Sequence, residues 1–390
     1  MISVAEALQH LFALVSPLEV ETVPLRSAAG RVLARDVAAT RTQPPFDASS
    51  MDGYALRRTE VEPDAMFKLV GEAAAGHAFT GTVGPGQCVR IFTGAPVPDD
   101  LDFVVIQEDV TRRGDLITLN RDMDGKDNVR PAGGDFMAGD LMQAPRRLTP
   151  TDVALLASMN LPEVPVTRRP VVSIIATGDE LVMPGETPRP DQIIASNSFG
   201  LAALLDAEGA ETRMLPIARD NTPSLKTAFQ LAGGSDLILT IGGASVGDHD
   251  LVAPVATELG MQQSFYKVAM RPGKPLMAGR MGEAAMIGLP GNPVSAMVCG
   301  KIFVVPVVGA LLGLGNEPAR ALTATLAAPL PPNGPREHYM RAILDADGLR
   351  AFDNQDSSLL GILSQSNALL VRPPHDPGLS VGASVRYLPL

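Results

Sequence analysis

Acidic side chains and glycine-rich turns occur together in four short segments of the sequence. The segments are ATGDEL (176–181), IARDN (217–221), TIGGASVGDHD (240–250) and GLPGNPVSA (288–296). Glycines let backbone N–H groups converge on an anion, and the N-terminus of a following helix adds partial positive charge. The carboxylates in these segments would repel a phosphate unless a divalent cation bridged the two, and Mg²⁺ suits that role. The acids concerned are Asp179, Glu180, Asp220, Asp248 and Asp250.

A basic segment follows the third of these turns. SFYKVAMRPGKPLMAGR (264–280) contains no acidic residue and carries Lys267, Arg271, Lys274 and Arg280. The whole chain has a formal net charge of −11, so this local reversal of charge predicts an anionic ligand nearby. A solvated edge strand, whose lysines prevent sheet-to-sheet association, would show the same pattern.

Apolar segments of strand length alternate with helical segments between residues 170 and 300. Strands are predicted at 170–178, 211–218, 236–243 and 284–291, and helices at 197–209, 222–234, 250–260 and 292–303. We expect Asn197 to cap the first of these helices, Gly209 to end it and Thr222 to cap the second. The alternation is typical of a parallel sheet covered on both faces. Ligands of such sheets bind at the C-terminal ends of the strands, where the four turns are expected to meet.

Each turn taken alone has a simpler interpretation. Tight glycine turns occur in any doubly wound fold, a single acid such as Asp179 is often a helix cap, and His249 has no second histidine at metal-binding spacing. Four polar turns at one edge, beside a basic segment, favour a functional site. The sequence has no GxxxxGK[ST] motif, no HExxH motif and no GxGxxG after a strand, which argues against P-loop, zinc-hydrolase and dinucleotide chemistry.

The remaining segments indicate further domains, as expected for a chain of 390 residues. Short apolar segments between glycine and proline turns predict a β-rich domain, and the strands after PPNGP (331–335) predict a C-terminal β-barrel. An N-terminal helix with a capping box of Ser3 and Glu6 is expected to pair with a helix at 148–160. The predicted fold class is α/β plus β, multidomain. The predicted boundaries are 1–40 with 136–168 for a discontinuous connecting domain, 41–135 for the β-rich domain, 169–318 for the α/β domain and 319–390 for the barrel.

Composition excludes several classes of function. A net charge of −11 argues against nucleic acid, and Cys88 and Cys299 alone offer no disulfide framework, which suits a reducing cytoplasm. The N-terminus lacks the basic flank of a signal peptide. The longest apolar run, 302–314, is too short to cross a bilayer, so we expect no membrane span. That run is expected to be a buried helix or a subunit contact.

Seven motifs resemble those of one enzyme family and occur in the same order. They are PPFDASSMDGYALR (44–57), RIFTGAPVP (90–98), VRPAGGDFMAGD (129–140), ATGDEL, TIGGASVGDHD, MRPGKP (270–275) and GLPGNPVSA. The sequence is similar, over nearly its whole length, to the molybdopterin molybdenumtransferases, which include the E domains of gephyrin-type proteins. The resemblance implies an elongated homodimer with active sites shared between subunits. It also implies that molybdate is ligated to the dithiolene of adenylylated molybdopterin, with Mg²⁺ and release of AMP.

The resemblance assigns roles to residues within these motifs. The catalytic acids and hydroxyl would be Asp52, Thr93, Asp135, Glu180, Asp220 and Asp250, of which Glu180, Asp220 and Asp250 would hold Mg²⁺. The molybdopterin and phosphate loop would contain Gly242, Gly243, Ser245, Gly247 and Asp248. The contacts to molybdate or phosphate would be Lys267, Arg271 and Lys274, and the loop after the fourth strand would be shaped by Pro290, Gly291, Asn292 and Pro293. The sequence departs from the family pattern at Ala244, where valine is more usual, and at Gly134, where a glutamate usually precedes the aspartate.

Other functions remain open at this point. Adenylylation of molybdopterin uses a related α/β domain, but the SMDGYA motif is typical of the insertion enzymes. A gephyrin-like scaffold would be expected to carry a long linker or a fused adenylylating domain, which this sequence lacks. Contact with a separate adenylylating enzyme is expected. Molybdate and tungstate have nearly the same size and charge, so the sequence does not distinguish them.

Overall fold

The protein has a mixed α/β fold. The structure is a computed structural model that describes residues 1–243 and 251–390. The predicted site residues Ser245, Gly247, Asp248 and Asp250 therefore lie outside the described residues, as do Ala244 and His249.

A six-stranded sheet occupies the centre of the α/β region. Its spatial order is Glu211–Met214, Val171–Ala176, Leu237–Ile241, Ala284–Leu289, Met277–Met281 and Gln262–Tyr266. The first four strands run parallel, which confirms the predicted parallel sheet. The last two pair antiparallel with their neighbours, so the basic segment begins in the edge strand of this sheet and ends in the strand beside it. The two central strands are buried along their whole length, because helices cover both faces.

Helices alternate with the parallel strands as the sequence predicts, but two caps differ. The helices of this region are Asn197–Ala207, Thr222–Leu231, Val252–Glu258 and Pro293–Cys299, the last continuing through a π turn, Gly300–Val304, into Val305–Leu311. Asn197 is the first helical residue and not the cap, because its amide bonds elsewhere. Asn221 caps the second helix in place of Thr222, since its side chain accepts from the Ser224 N–H. Gly209 follows the last turn of the first helix at φ +92°, as expected for a helix stop.

The long apolar helix lies in the core. From Pro293 to Leu311 it is 19 residues long with a mean hydropathy of 2.1, which is long and apolar enough to cross a membrane. However, 78% of it is buried inside the chain, as expected for a core helix. Phe303, Val304 and Val308 are fully buried against other parts of the same chain. The buried-helix interpretation of the 302–314 run is confirmed, and these side chains are not available for a subunit contact.

The N-terminal helix does not pack against the helix predicted at 148–160. Val4–Phe12 has the predicted capping box between Ser3 and Glu6, but its apolar face joins the core of the central sheet. The helix Pro150–Ser158, capped by Thr149, packs in a separate core. The predicted pairing of these two helices was wrong, because an apolar face does not itself specify which other apolar face will cover it. The domain boundaries stay predictions.

The β-rich region places the motifs SMDGYA and FTGAP next to each other. Its sheet has the order Phe103–Ile106, Gly53–Leu56, Gln87–Ile91, Met66–Ala73, Leu116–Leu119 and Val110–Arg113. Gly53 pairs with Ile91 in antiparallel register, so Asp52 and Thr93 emerge at the same end of neighbouring strands. A smaller sheet has the order Val20–Pro24, Glu163–Thr167, Val32–Leu33 and Arg146–Arg147.

The C-terminal sheet begins with two residues of the basic segment. Its order is Met270–Arg271, Glu337–Asp345, Ala368–Arg372, Ser384–Pro389 and Leu322–Thr325, with Gly348–Ala351 also pairing to Glu337–Asp345. The strands predicted in this region are confirmed. A single bridge joins Leu326 to Leu349, and a closed barrel stays a prediction. A short helix, Leu360–Gln365, completes the region.

Candidate functional site

A cavity of about 790 Å³ opens at the C-terminal ends of the parallel strands. Its lining includes the turns after three strands of the central sheet and Asp220, which precedes the helix Thr222–Leu231. This is the position that the alternation of strands and helices predicts for a ligand site.

The cavity brings together only part of the predicted residue set. The predicted residues that line it are Glu180, Asp220, Gly242, Gly243, Pro290, Gly291, Asn292 and Pro293. Those that are described but do not line it are Asp52, Thr93, Asp135, Lys267, Arg271 and Lys274. The acids of the strand-end turns therefore share one concave site, while the β-rich motifs of the same chain lie elsewhere.

The backbone of the turn that carries Glu180 passes close to the Glu180 carboxylate. Gly178 has φ +148°, a conformation that L side chains rarely adopt, and its N–H donates to the Ala218 carbonyl at 3.1 Å. A Cβ at Gly178 would overlap the carboxylate oxygens of Glu180. The Ile193 N–H donates to the Glu180 carbonyl at 2.8 Å from the other side. Glycine thus favours the backbone conformation of this turn, and a side chain here would displace the Glu180 carboxylate from its present position.

Replacing Gly178 with alanine is expected to lower kcat about tenfold or more, because the added methyl group displaces the Glu180 carboxylate. The matched control is Gly185→Ala, a glycine at φ +92° whose added Cβ meets no atom within 4 Å. Steady-state kinetics and thermal unfolding of both variants test this. Equal activity losses in the two variants would show that backbone strain alone accounts for the effect.

The floor of the cavity depends on a close approach between two strand ends. Gly242 has φ +92°, and a Cβ there would lie 2.9 Å from both the carbonyl oxygen and the hydroxyl of Thr177. Thr177 is buried and donates its hydroxyl to the Ile241 carbonyl at 3.3 Å. A Cβ added at Gly291 would lie 3.5 Å from the Cα of Gly242. Glycines at these turns let three chain segments meet without side chains between them.

Several cavity residues were not found from the sequence. They are chiefly the segment Ile193–Ser198 and the distant Ser358. The Asn197 amide donates to the Gly291 carbonyl at 2.7 Å, and the Asn292 amide donates to the Ser357 hydroxyl at 3.0 Å. Asn197 was predicted only as a helix cap, although the polar residues on both sides of it, Ser196 and Ser198, were a detectable signal. Ser358 carried no local signal, because it reaches the cavity only through packing of the C-terminal region.

A buried arginine supports the segment that contains Ser358. Arg341 is 1% exposed, and its Nε donates to the side-chain oxygen of Gln355 at 3.1 Å. Its Nη1 donates to the Asp356 carbonyl, and Asp356 in turn accepts from the Ser358 hydroxyl at 2.7 Å. A chain of hydrogen bonds thus connects the core of the C-terminal sheet to the wall of the cavity.

The positive charge of the basic segment lies beside the cavity. Pro275, the neighbour of Lys274, lines it, whereas the Lys267 ammonium lies 4.9 Å from the centre of the Tyr266 ring. Burial, together with the smaller effect of the positive charges of Arg271 and Arg341, lowers the pKa of His338 to about 4. The smaller, electrostatic part of this shift reflects several arginines around His338, and such a concentration of positive charge attracts anions.

Asp52 and Thr93 form a second polar group, in the β-rich region. The Asp52 carboxylate accepts from both the N–H and the hydroxyl of Thr93 at 2.8 Å. These hydrogen bonds, and to a smaller degree the charge of Arg90, hold the pKa of Asp52 below its ordinary value. Thr93 is exposed, so the ionised pair faces outward and not into the cavity of its own chain. Asp135 is exposed as well, and its N–H donates to the Gln43 carbonyl at 3.1 Å.

The described residues contain no cluster of three or more histidine, cysteine or acidic side chains suited to a metal ion. Glu180 and Asp220 nevertheless line the same cavity. A second cavity, of about 460 Å³, lies between the N-terminal helix and the C-terminal sheet, and none of the predicted site residues lines it.

Comparisons with known proteins match the chain along most of its length. Residues 2–160 match the MoeA N-terminal region (domain I and II), residues 173–310 a "Probable molybdopterin binding domain", and residues 323–390 the MoeA C-terminal region (domain IV). A molybdopterin molybdenumtransferase from Nostoc sp. is 36% identical, covering 100% of this chain and 94% of its own length. One from Bacillus subtilis is 30% identical over 99% of this chain and 94% of its own. The crystal structure of a molybdopterin biosynthesis protein MoeA from Pyrococcus horikoshii superposes with a TM-score of 0.86 at 26% identity, covering 100% of both chains.

Proposed function

Because this chain belongs to the molybdopterin molybdenumtransferases, transferases of molybdenum cofactor biosynthesis, we propose that its strand-end cavity is where molybdate is inserted into adenylylated molybdopterin. Insertion depends on Mg²⁺, and AMP is released when the phosphoanhydride is cleaved. The observation that carries this proposal is the presence of Glu180, Asp220 and three glycine turns in one cavity of about 790 Å³. That volume suits a small-molecule ligand.

The residues of the cavity fit a magnesium ion. Mg²⁺ is usually held by one or two carboxylates together with waters and substrate phosphates, so Glu180 and Asp220 are a sufficient protein contribution. Asp250 is the proposed third acid. When bound, the ion neutralises the charge that develops as the phosphoanhydride breaks.

The chain itself provides the groups that orient the anionic substrate. The N-terminus of the long helix starts at Pro293 on the cavity wall, and its partial positive charge faces the space where a phosphate would lie. Gly242 and Gly243 allow the substrate to approach the backbone closely. Lys274, Arg271 and Lys267 lie in the neighbouring basic segment and attract molybdate, a tetrahedral dianion, to the edge of the cavity. The dithiolene of the pterin provides the sulfur ligands, because Cys88 and Cys299 are both buried.

The direct test is incubation with adenylylated molybdopterin, Mg²⁺ and molybdate, followed by measurement of AMP and of active cofactor. Molybdate-dependent AMP release supports insertion. Formation of adenylylated molybdopterin from ATP and free molybdopterin would instead favour the adenylyltransferase alternative. A protein that yields neither product would favour a gephyrin-like scaffold. A parallel arm with tungstate determines which oxyanion is preferred.

Replacing Lys274 with alanine is expected to raise the molybdate concentration for half-maximal AMP release about tenfold, because one charge-assisted contact is lost. Affinity for adenylylated molybdopterin should change by less than about twofold, since its contacts lie mainly on the strand-end turns. Lys68→Ala, an exposed lysine of the β-rich sheet, is the matched control. An unchanged molybdate requirement would restore the edge-strand interpretation of the basic segment.

We further propose that the protein acts as a cytoplasmic homodimer with shared active sites. The Asp52–Thr93 pair supports shared active sites. If this pair takes part in the reaction, it must face a substrate cavity, and it does not line the cavity of its own chain. Separate apolar clusters in the connecting, β-rich and C-terminal regions support the four-domain division given above, although the N-terminal helix shares the core of the α/β region. The acidic net charge argues against nucleic acid as a partner, and transient contact with the adenylylating enzyme would pass the substrate on directly.

A further inference from the structure

One arginine contacts the turn of Glu180 from the neighbouring strand end. The Nη1 of Arg219 lies 3.1 Å from the carbonyl oxygens of Asp179 and Leu181 and 3.4 Å from that of Gly178. Three carbonyls from four consecutive residues thus converge on one nitrogen atom. They flank Glu180 on both sides along the chain, and the Glu180 carbonyl itself bonds to Ile193.

The close approach of these three carbonyl oxygens is electrostatically unfavourable, and a nearby positive charge offsets their repulsion. Carbonyl oxygens carry partial negative charge, so three of them directed at one point repel each other, and the adjacent carboxylates add to the repulsion. The guanidinium donates N–H groups to these oxygens and places a positive charge among them. A neutral side chain at this position would leave the turn without that compensation.

Arg219 is itself held firmly in place. Its backbone N–H donates to the Ser224 hydroxyl at 2.9 Å, which ties it to the first turn of the helix Thr222–Leu231. The next residue, Asp220, donates its N–H to the Asp179 carboxylate at 3.2 Å. The two strand-end turns that carry the cavity acids are therefore joined by a side-chain contact and a backbone contact.

We propose that Arg219 is a positioning residue for molybdate insertion. It fixes the 178–181 turn against the 219–221 turn, and so holds Glu180 at its distance from Asp220, without touching the substrate. The inference rests on the proposed role of Glu180 in the reaction.

The test compares Arg219→Ala, Arg219→Gln and Arg219→Lys with Arg213→Ala, an exposed arginine of the strand Glu211–Met214. In Arg219→Ala we expect kcat to fall about tenfold or more while the KM for molybdate changes less than about twofold. Hydrogen–deuterium exchange should be faster in peptides covering 177–182, with other peptides and the unfolding temperature unchanged. Lysine should restore part of the activity, glutamine should not, and added guanidinium ion should partly rescue the alanine variant.

The outcomes separate this inference from the proposed function. If Glu180→Gln is inactive but Arg219→Ala matches the parent in kcat and in exchange at 177–182, the inference is overturned and the role of Glu180 stands. If Glu180→Gln is fully active, the proposed role of Glu180 fails, and the positioning role fails with it. A loss of activity in Arg219→Ala that glutamine restores as well as lysine does would also overturn the inference, because charge would then be irrelevant.

Discussion

Replacing Glu180 with glutamine is expected to slow molybdate-dependent AMP release by about 100-fold or more, while the unfolding temperature stays within about 2 °C of the parent. Glutamine keeps the size of the side chain and removes the charge that would face the cation and the phosphoanhydride. Glu180 is exposed to the cavity and not buried in a core, so its replacement should not disturb folding. Asp220→Asn and Asp250→Ala should show comparable losses.

The matched control for Glu180→Gln is Glu186→Gln. Glu186 is also exposed and lies further along the same loop, where its carboxylate accepts from the Met183 N–H at 3.0 Å. It does not line the cavity. If Glu186→Gln releases AMP at the normal rate and Glu180→Gln does not, the loss of activity is due to the change in the cavity. If both Glu180→Gln and Asp220→Asn turn over like the parent, the site lies elsewhere in the protein.

Mixing two inactive variants is expected to recover activity. One chain carries Asp52→Ala and the other Glu180→Ala, and subunits are exchanged before the assay. If each site combines Asp52 of one chain with the cavity of the other, a mixed dimer has one intact site and one doubly damaged site. Random pairing makes about half of the dimers mixed, so activity should approach about one quarter of that of the parent.

The physical reason for this expectation lies in the direction of the Asp52–Thr93 pair. The ionised Asp52 carboxylate is hydrogen-bonded to the exposed Thr93, yet neither residue lines the cavity of its own chain. Labelled subunits should verify that exchange has taken place, and the same mixture without exchange is the control. Confirmed exchange with no recovered activity would show that each chain builds its own site, and the proposed sharing would then be wrong.

Local patterns in the sequence predicted the elements of the α/β region well. The strands Val171–Ala176, Leu237–Ile241 and Ala284–Leu289 are apolar apart from one hydroxyl residue in each of the first two, as burial on both faces favours. Their glycine-rich ends were recognisable because tight turns between a buried strand and a helix have few alternatives to glycine. The order of strands and helices then places Glu180, Asp220 and the loop after the fourth strand at one edge.

Helix caps were less predictable, although they too are local features. Asn197 and Thr222 are both suitable capping residues by type. In the structure Asn197 instead donates to Gly291 across the cavity, and Asn221 caps the helix that Thr222 begins. A polar side chain takes the partner that tertiary packing brings within reach, and the sequence does not reveal that partner.

The sequence alone thus determined the parallel sheet, the edge at which its cavity opens and the residues of its turns, because these follow from periodicity and backbone sterics within about ten residues. Only the tertiary structure decided that the N-terminal helix packs on the central sheet, that Ser358 reaches the cavity and that Arg219 clamps the turn of Glu180. These contacts join residues far apart in the chain. They depend on which apolar faces and which unsatisfied carbonyls meet when the whole chain packs, and no local pattern encodes that choice.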